Sequence, residues 1–207
     1  MLQIFYWVES NWVELLGAIL GLIYILLSIR QNKWCWPVGL LTSVLYIYVF
    51  LVTKFYADMV LQVYYVGASI FGWYNWTYGA TKGRKELPVR WVKLHEWFWI
   101  LLITLVLFVF MAFVLSHYTD SPIPYWDAFT TAGSFVATWM LAKKMIENWL
   151  FWIVVDAVSL GLYIYKGLYA TVILFVVYTV LALVGFFQWR REISARSFVP
   201  NQQGEAP

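Results

Sequence analysis

The chain has 207 residues, of which 63% are hydrophobic and only 12% are charged, against about 25% charged residues in an ordinary soluble domain. A soluble domain of this size could not bury so much apolar surface, so the composition excludes a soluble fold and predicts an all-α membrane protein. The net charge of +3 does not indicate nucleic acid binding, because the basic residues lie between apolar segments.

Seven apolar segments are long enough to cross a bilayer, which requires about 20 residues. They are Trp12–Ile29, Trp34–Val52, Tyr56–Tyr78, Trp97–Leu115, Tyr125–Ala142, Trp149–Tyr165 and Leu168–Trp189. The fifth segment is the weakest, because Asp127 and several hydroxyl residues dilute it. A re-entrant or interfacial segment is the alternative interpretation there.

The basic residues alternate between the connecting segments. Of the 14 Lys and Arg residues, 12 lie in one alternating set of connections, and only Lys54 and Lys166 lie in the other. The positive-inside rule then predicts seven spans with the N-terminus outside and the C-terminus in the cytoplasm. Omitting the fifth span would spoil this alternation. The polar residues 192–207 are predicted to form a disordered cytoplasmic tail.

The sequence also resembles itself. Asn32, Trp36 and Tyr46-Ile47-Tyr48 match Asn148, Trp152 and Tyr163-Ile164-Tyr165 at offsets of 116 to 117, and Tyr56-Ala57 matches Tyr169-Ala170 at 113. The pattern predicts a single membrane domain over residues 1–207, with parallel three-helix repeats at 12–78 and 125–189 and a linker helix at 97–115. Such repeats are typical of transporters with a substrate site between them. The alternative is a similarity of two segments that are both rich in Leu, Val and Tyr.

Several polar residues lie inside the predicted spans. In the sixth span Trp149, Trp152, Asp156, Ser159 and Tyr163 share one helix face, and polar groups at such positions face the bundle interior or water. Asp156 is either a ligand contact or an acid that is hydrogen-bonded to neighbouring helices. The aromatic faces favour a flat, conjugated substrate, because rings stack on rings and attract cations.

Other functions lack their sequence signals. No phosphate-binding loop, metal-spaced histidine pair or nucleophile–base pair occurs, so neither a membrane enzyme acting on a lipid nor any cofactor is favoured. The single cysteine, Cys35, excludes an intramolecular disulfide. No basic residue lies inside a predicted span, which argues against phosphate-bearing substrates. A receptor or scaffold would need large extramembrane regions, and the longest connection is only residues 79–96.

The motifs resemble the Pnu vitamin transporters of bacteria over residues 12–191, most closely the members that carry nicotinamide riboside. They are Lys54-Phe55-Tyr56-Ala57-Asp58, Gln62-Val63-Tyr64, Gly72-Trp73-Tyr74-Asn75-Trp76, Asn148-Trp149, Asp156 and Tyr163-x-x-Lys166-Gly167-Leu168-Tyr169. The resemblance implies a 3+1+3 topology related to the SWEET sugar transporters, a homotrimer in the bacterial inner membrane, and facilitated diffusion. It further implies trapping of the vitamin by a cytoplasmic kinase and a role in NAD biosynthesis.

We expect aromatic residues to sandwich the substrate ring and polar residues to hold its amide and hydroxyl groups. The candidate binding residues are Gln62, Trp73, Asn75, Trp76, Thr131, Ser134, Asn148, Trp149, Asp156, Tyr178, Gln188 and Trp189. Thiamine is also a flat cation, so charge does not separate it from nicotinamide riboside. Riboflavin is neutral and would leave Asp156 without an obvious partner.

Overall fold

The computed structural model describes the backbone of residues 2–52, 56–80, 87–165, 167 and 169–197, and the side chains of 16–51, 59–80, 87–165, 167, 169 and 171–195. Within these residues the fold is all-helical, as the composition predicts. The seven helices are α1 Leu2–Ile29, α2 Cys35–Val52, α3 Tyr56–Tyr78, α4 Leu94–Tyr118, α5 Pro124–Ala142, α6 Asn148–Tyr165 and α7 Tyr169–Ser197. The motif residues Lys54, Phe55, Lys166 and Leu168 lie outside the described part.

Each predicted segment coincides with one helix. Leu94–Tyr118, Asn148–Tyr165 and Thr171–Ala195 are long and apolar enough to span a membrane, while Leu16–Ile29 and Cys35–Leu51 are shorter apolar stretches of described chain. The number of crossings and their orientation therefore remain predictions. Helix α7 continues to Ser197, so residues 192–197, which we expected to begin a disordered tail, are helical. Its last three turns carry Arg190, Arg191 and Glu192, whose charged side chains are favourable in water and costly in the core of a bilayer.

The chain divides into two compact units, residues 1–87 and 88–207. In the first unit α2 packs against α1 and α3, and in the second α6 packs against α5 and α7 while α4 lies against α5. A helix therefore occupies the same middle position in both units. Gly17 of α1 lies against the Tyr46 ring of α2, and Gly133 of α5 lies against Val155 of α6. The missing Cβ lets each pair of helices approach closely.

The corners that connect α1 to α2 and α5 to α6 have the same backbone conformation. Gln31 and Lys144 both adopt left-handed conformations, with φ of 54° and 52°. In the first corner the Asn32 amide donates to the Leu27 carbonyl at 2.9 Å, and in the second the Met145 amide donates to the Met140 carbonyl at 3.0 Å. These bonds close a Schellman motif at the end of each first helix.

The two corners and the following helices are related by one offset of 113 residues. Cys35–Val52 and Asn148–Tyr165 have the same length, and α3 and α7 begin at Tyr56 and Tyr169. The offset of 116 to 117 that we inferred for the earlier helices is therefore wrong, and Trp36 corresponds to Trp149 rather than to Trp152. The error arose because Tyr and Trp are so abundant that unrelated positions match by letter. The SWEET-like arrangement of complete repeats remains a prediction.

Candidate substrate-binding site

The second unit brings three of the predicted site residues together at the start of α6. The Trp149 ring meets the Trp189 ring of α7 edge-on, with centroids 5.5 Å apart and planes at 87°. Both rings are buried, and Asn148 beside them has no exposed surface at all. Gly185 makes this contact possible, because a Cβ there would lie 2.6 Å from Cε2 of Trp149. The sequence predicted the tryptophans but not the role of Gly185.

Two polar atoms in this cluster have no hydrogen-bond partner within the described residues. The Asn148 Nδ2 group donates to the Met145 carbonyl at 2.5 Å, which leaves Asn148 Oδ1 as a buried acceptor without a donor. The Trp149 Nε1 group is likewise a buried donor without an acceptor. A buried polar group without a partner destabilises the fold by about 1–3 kcal/mol. One acceptor and one donor on adjacent residues can bind a polar group of a ligand.

Asp156 lies two helical turns beyond Trp149 on α6, about 10 Å along the helix axis. The side chain is only 5% exposed. Neither an ion pair nor a hydrogen bond joins it to another described residue, so the interpretation of Asp156 as an acid bonded to neighbouring helices gains no support. Ser159, one turn further along the same face, is also buried. An acid without a cation or donor in this position can neutralise a cationic ligand.

The remaining predicted residues of the second unit vary in their surroundings. Ser134 is buried on α5, and its carbonyl accepts a hydrogen bond from the Thr138 hydroxyl at 2.8 Å; Thr131 is half-buried one turn before it. The half-buried Tyr178 of α7 packs edge-on against Phe175, with centroids 5.8 Å apart. Gln188 is exposed, whereas its neighbour Trp189 is fully buried. Gln188 and the Asn148–Trp149 cluster thus do not share a buried environment within this unit.

The first unit contains the equivalent tryptophan pair. Trp36 of α2 meets Trp76 of α3 edge-on at 5.4 Å and 89°, and Gly72 packs against the Trp36 ring. Trp36 Nε1 is also a buried donor without an acceptor among the described residues. Sequence reasoning missed Trp36 as a candidate, although an alignment at 113 residues pairs it with Trp149 and pairs Trp76 with Trp189.

Trp73 has different neighbours from Trp76. Its ring lies 5.5 Å from the Trp34 ring, and Lys33 Nζ lies 5.5 Å from its centroid. Trp34 is 58% exposed, so this group resembles an aromatic anchor at a membrane interface more than a buried binding site. Asn75 and Gln62 are half-buried on α3. Of the four predicted residues in this unit, only Trp76 belongs to the buried tryptophan pair.

The α5–α6 corner, which leads into the site, is held by the strap, defined as residues 88–93. The Arg90 amide donates to the Lys144 carbonyl and the Arg90 carbonyl accepts from the Ile146 amide, both at 3.0 Å. The carboxylate of Glu147 accepts from the Val92 amide, at 2.9 Å to Oε1 and 3.1 Å to Oε2. Burial raises the pKa of Glu147, and the Val92 hydrogen bond opposes part of that shift. Among the described residues, no group of three potential metal ligands occurs.

Comparisons with known proteins give the family of the chain. The family model described as nicotinamide mononucleotide transporter matches residues 11–191. The chain is similar to the nicotinamide riboside transporter PnuC of Escherichia coli strain K12, with 27% identity over 87% of this chain and 86% of the relative. It is also similar to the riboflavin/roseoflavin transporter RibM of Streptomyces davaonensis, with 29% identity over 86% of this chain and 84% of the relative.

A solved structure has the same fold. The crystal structure of the vitamin B3 transporter PnuC aligns with a TM-score of 0.74 at 21% identity, covering 93% of this chain and 86% of that chain. These relatives and the structural neighbour are transporters, not enzymes. With a family model that spans nearly all of its helices, this chain belongs to the nicotinamide mononucleotide transporter family of membrane proteins.

Proposed function

We propose that the chain imports nicotinamide riboside across the bacterial inner membrane by facilitated diffusion. Similarity to nicotinamide riboside transporters over most of both chains supports this substrate. The observation that carries the proposal is the buried group on α6 formed by Asn148, Trp149 and Asp156. In this group Asn148 Oδ1 and Trp149 Nε1 have no hydrogen-bond partner among the described residues. The proposal includes a 3+1+3 SWEET-like homotrimer, with the N-terminus outside and the C-terminus in the cytoplasm.

The chemistry of this group suits the substrate. Nicotinamide riboside carries a flat cationic ring, which gains attraction from tryptophan faces and from the acid of Asp156. Its carboxamide offers both a donor and an acceptor, the complement of Asn148 Oδ1 and Trp149 Nε1. The predicted spans contain no Lys or Arg to pair with a phosphate. We therefore propose that the free riboside is the transported species and that phosphorylation in the cytoplasm traps it.

Riboflavin is the second candidate, because the similarity to RibM covers as much of the chain. Riboflavin is neutral, so its binding should not depend on the charge of Asp156. Whether substrate binding depends on the Asp156 carboxylate therefore distinguishes nicotinamide riboside from riboflavin.

The test is a calorimetric titration of the purified protein with nicotinamide riboside, nicotinamide mononucleotide, thiamine and riboflavin. We expect binding of nicotinamide riboside alone, loss of most of that binding in Asn148→Ala and Asp156→Asn, and no change in Asp127→Asn. Asp127 is a matched control, because it lies at the start of α5, where it accepts a hydrogen bond from the Ser121 hydroxyl. Binding of riboflavin that survives in Asp156→Asn would support the second candidate. Binding of none of the four would overturn the proposal.

A further inference from the structure

Glu147 immediately precedes the Asn148–Trp149 pair but takes no part in the tryptophan cluster. Its side chain is only 4% exposed. Burying a carboxylate is strongly unfavourable unless hydrogen bonds compensate for its lost hydration. This carboxylate accepts a hydrogen bond from the Val92 amide of the strap, 55 residues away in sequence. This hydrogen bond joins the start of α6 to the strap and can therefore fix the position of that turn.

The strap itself is firmly held. Val92 is buried in an apolar cluster with Ile100 of α4, Val136 and Met140 of α5, and Met145 of the corner. At the start of α4, Glu96 accepts two hydrogen bonds from the Arg90 guanidinium, at 2.6 and 2.8 Å, and one from the Lys93 amide. The Val92 amide is therefore a fixed donor to which the corner can be attached.

The equivalent corner of the first unit has no such attachment in the described structure. The position that corresponds to Glu147 at the offset of 113 is Trp34, which is largely exposed. Asn32 and Lys33 beside it are exposed, whereas Met145 and Ile146 are buried. The Schellman motif forms in both corners, so the backbone turn does not require the carboxylate. The Glu147–Val92 contact therefore serves something beyond forming the turn.

We propose that Glu147 is a positioning residue for the substrate site. By bonding the Val92 amide, it fixes the first turn of α6, so that Asn148 Oδ1 and Trp149 Nε1 keep one orientation toward the ligand. Rotation of this turn would swing both atoms away together, because adjacent residues on a helix move as a unit. This inference rests on the proposed function of Asn148 and Trp149 in binding nicotinamide riboside.

The test compares Glu147→Ala with Glu147→Gln in the full-length protein. Glutamine keeps an acceptor oxygen at the same reach, whereas alanine removes it. We expect Glu147→Ala to weaken nicotinamide riboside binding about tenfold, the equivalent of one hydrogen bond of about 1.4 kcal/mol, with Glu147→Gln restoring most of the affinity. Asp120→Ala, which removes an exposed acid from the α4–α5 connection, is the matched control and should bind normally.

Hydrogen–deuterium exchange of the peptide covering residues 145–152 gives a second measurement that needs no substrate. Exchange should become faster in Glu147→Ala and remain unchanged in Glu147→Gln and Asp120→Ala. If Glu147→Ala does not fold, Glu147→Asp, whose carboxylate is one methylene shorter, should show the same loss of affinity and faster exchange.

Normal affinity and normal exchange in the folded Glu147→Ala or Glu147→Asp variant would overturn the positioning role. A Glu147→Gln variant as impaired as Glu147→Ala would also overturn it, because charge rather than the hydrogen bond would then matter. If the unmodified protein binds no nicotinamide riboside, the proposed function fails separately. In that case the exchange experiment still decides whether Glu147 fixes the start of α6.

Discussion

The substitution Gly185→Ala tests the site through the packing of one ring. A Cβ at position 185 would lie 2.6 Å from Cε2 and 2.7 Å from Cδ2 and Cζ2 of Trp149, the body of the indole rather than its edge. Ordinary contact begins at 3.4 Å, so the ring must withdraw by about 0.8 Å. Trp149 also packs edge-on against Trp189, which is fully buried, so it cannot withdraw without disturbing that contact.

The expected magnitude follows from this crowding. Inserting a methyl group into a packed core costs about 1–3 kcal/mol, which corresponds to a factor of about 5 to 140 in a binding constant if the ring moves within its site. Gly161→Ala is the matched control, because it makes the same change in α6 with nothing within 4 Å of the added Cβ. Since alanine favours helix over glycine by about 1 kcal/mol, this control should be neutral or slightly stabilising.

The assay is titration with nicotinamide riboside, followed by tryptophan fluorescence, together with thermal unfolding of each variant. We expect Gly185→Ala to bind more weakly and unfold at a lower temperature, and Gly161→Ala to resemble the unmodified protein. Wild-type affinity in a folded Gly185→Ala variant would refute the reasoning, because either the ring is not crowded or it does not contact the ligand.

Three further predictions concern stability. Trp189→Ala should lower the free energy of unfolding by about 3–5 kcal/mol, because it removes a fully buried ring, and denaturant unfolding would measure this. Glu96→Gln should lower the free energy of unfolding by about 1 kcal/mol, because it weakens the pair of hydrogen bonds to the Arg90 guanidinium. A double-mutant cycle would measure this, since the loss should be absent when Arg90 is already replaced by alanine. The folded-state pKa of Glu147 is raised above 4.5, so ionisation of this group should lower stability as pH rises from 4.5 through that pKa. Over this pH range the melting temperature of Glu147→Gln should exceed that of the unmodified protein by a margin that grows with pH. A constant difference would contradict the prediction.

Much of the helical framework could be predicted from the sequence. Apolar runs of about 20 residues predict helices with little ambiguity, and Tyr56–Tyr78 was predicted to the residue. The buried environments of Trp149, Asp156 and Ser159 also follow from their shared face. The predicted site residue Gln188 corresponds to Asn75 at the offset of 113, but its side chain is exposed, because a step of one residue turns a helix by 100° away from Trp189. The placement of the substrate between the two repeats remains a prediction.

What the sequence determined by itself is which residues are helical and which face of each helix is polar, because both depend on local periodicity. The position of a residue along the helix axis depends on how the two repeats are aligned, and only the tertiary structure decided that alignment. An alignment error of three residues turns a helix by nearly a full turn, so the predicted face is preserved while the position moves by about 4.5 Å along the axis. The equivalence of Trp36 with Trp149 follows from the two corners and the helix bounds, and the packing of Gly72 and Gly185 against these rings supports it. The Glu147–Val92 contact joins residues 55 apart in sequence. No local pattern encodes such a pair, because only folding brings the two residues together.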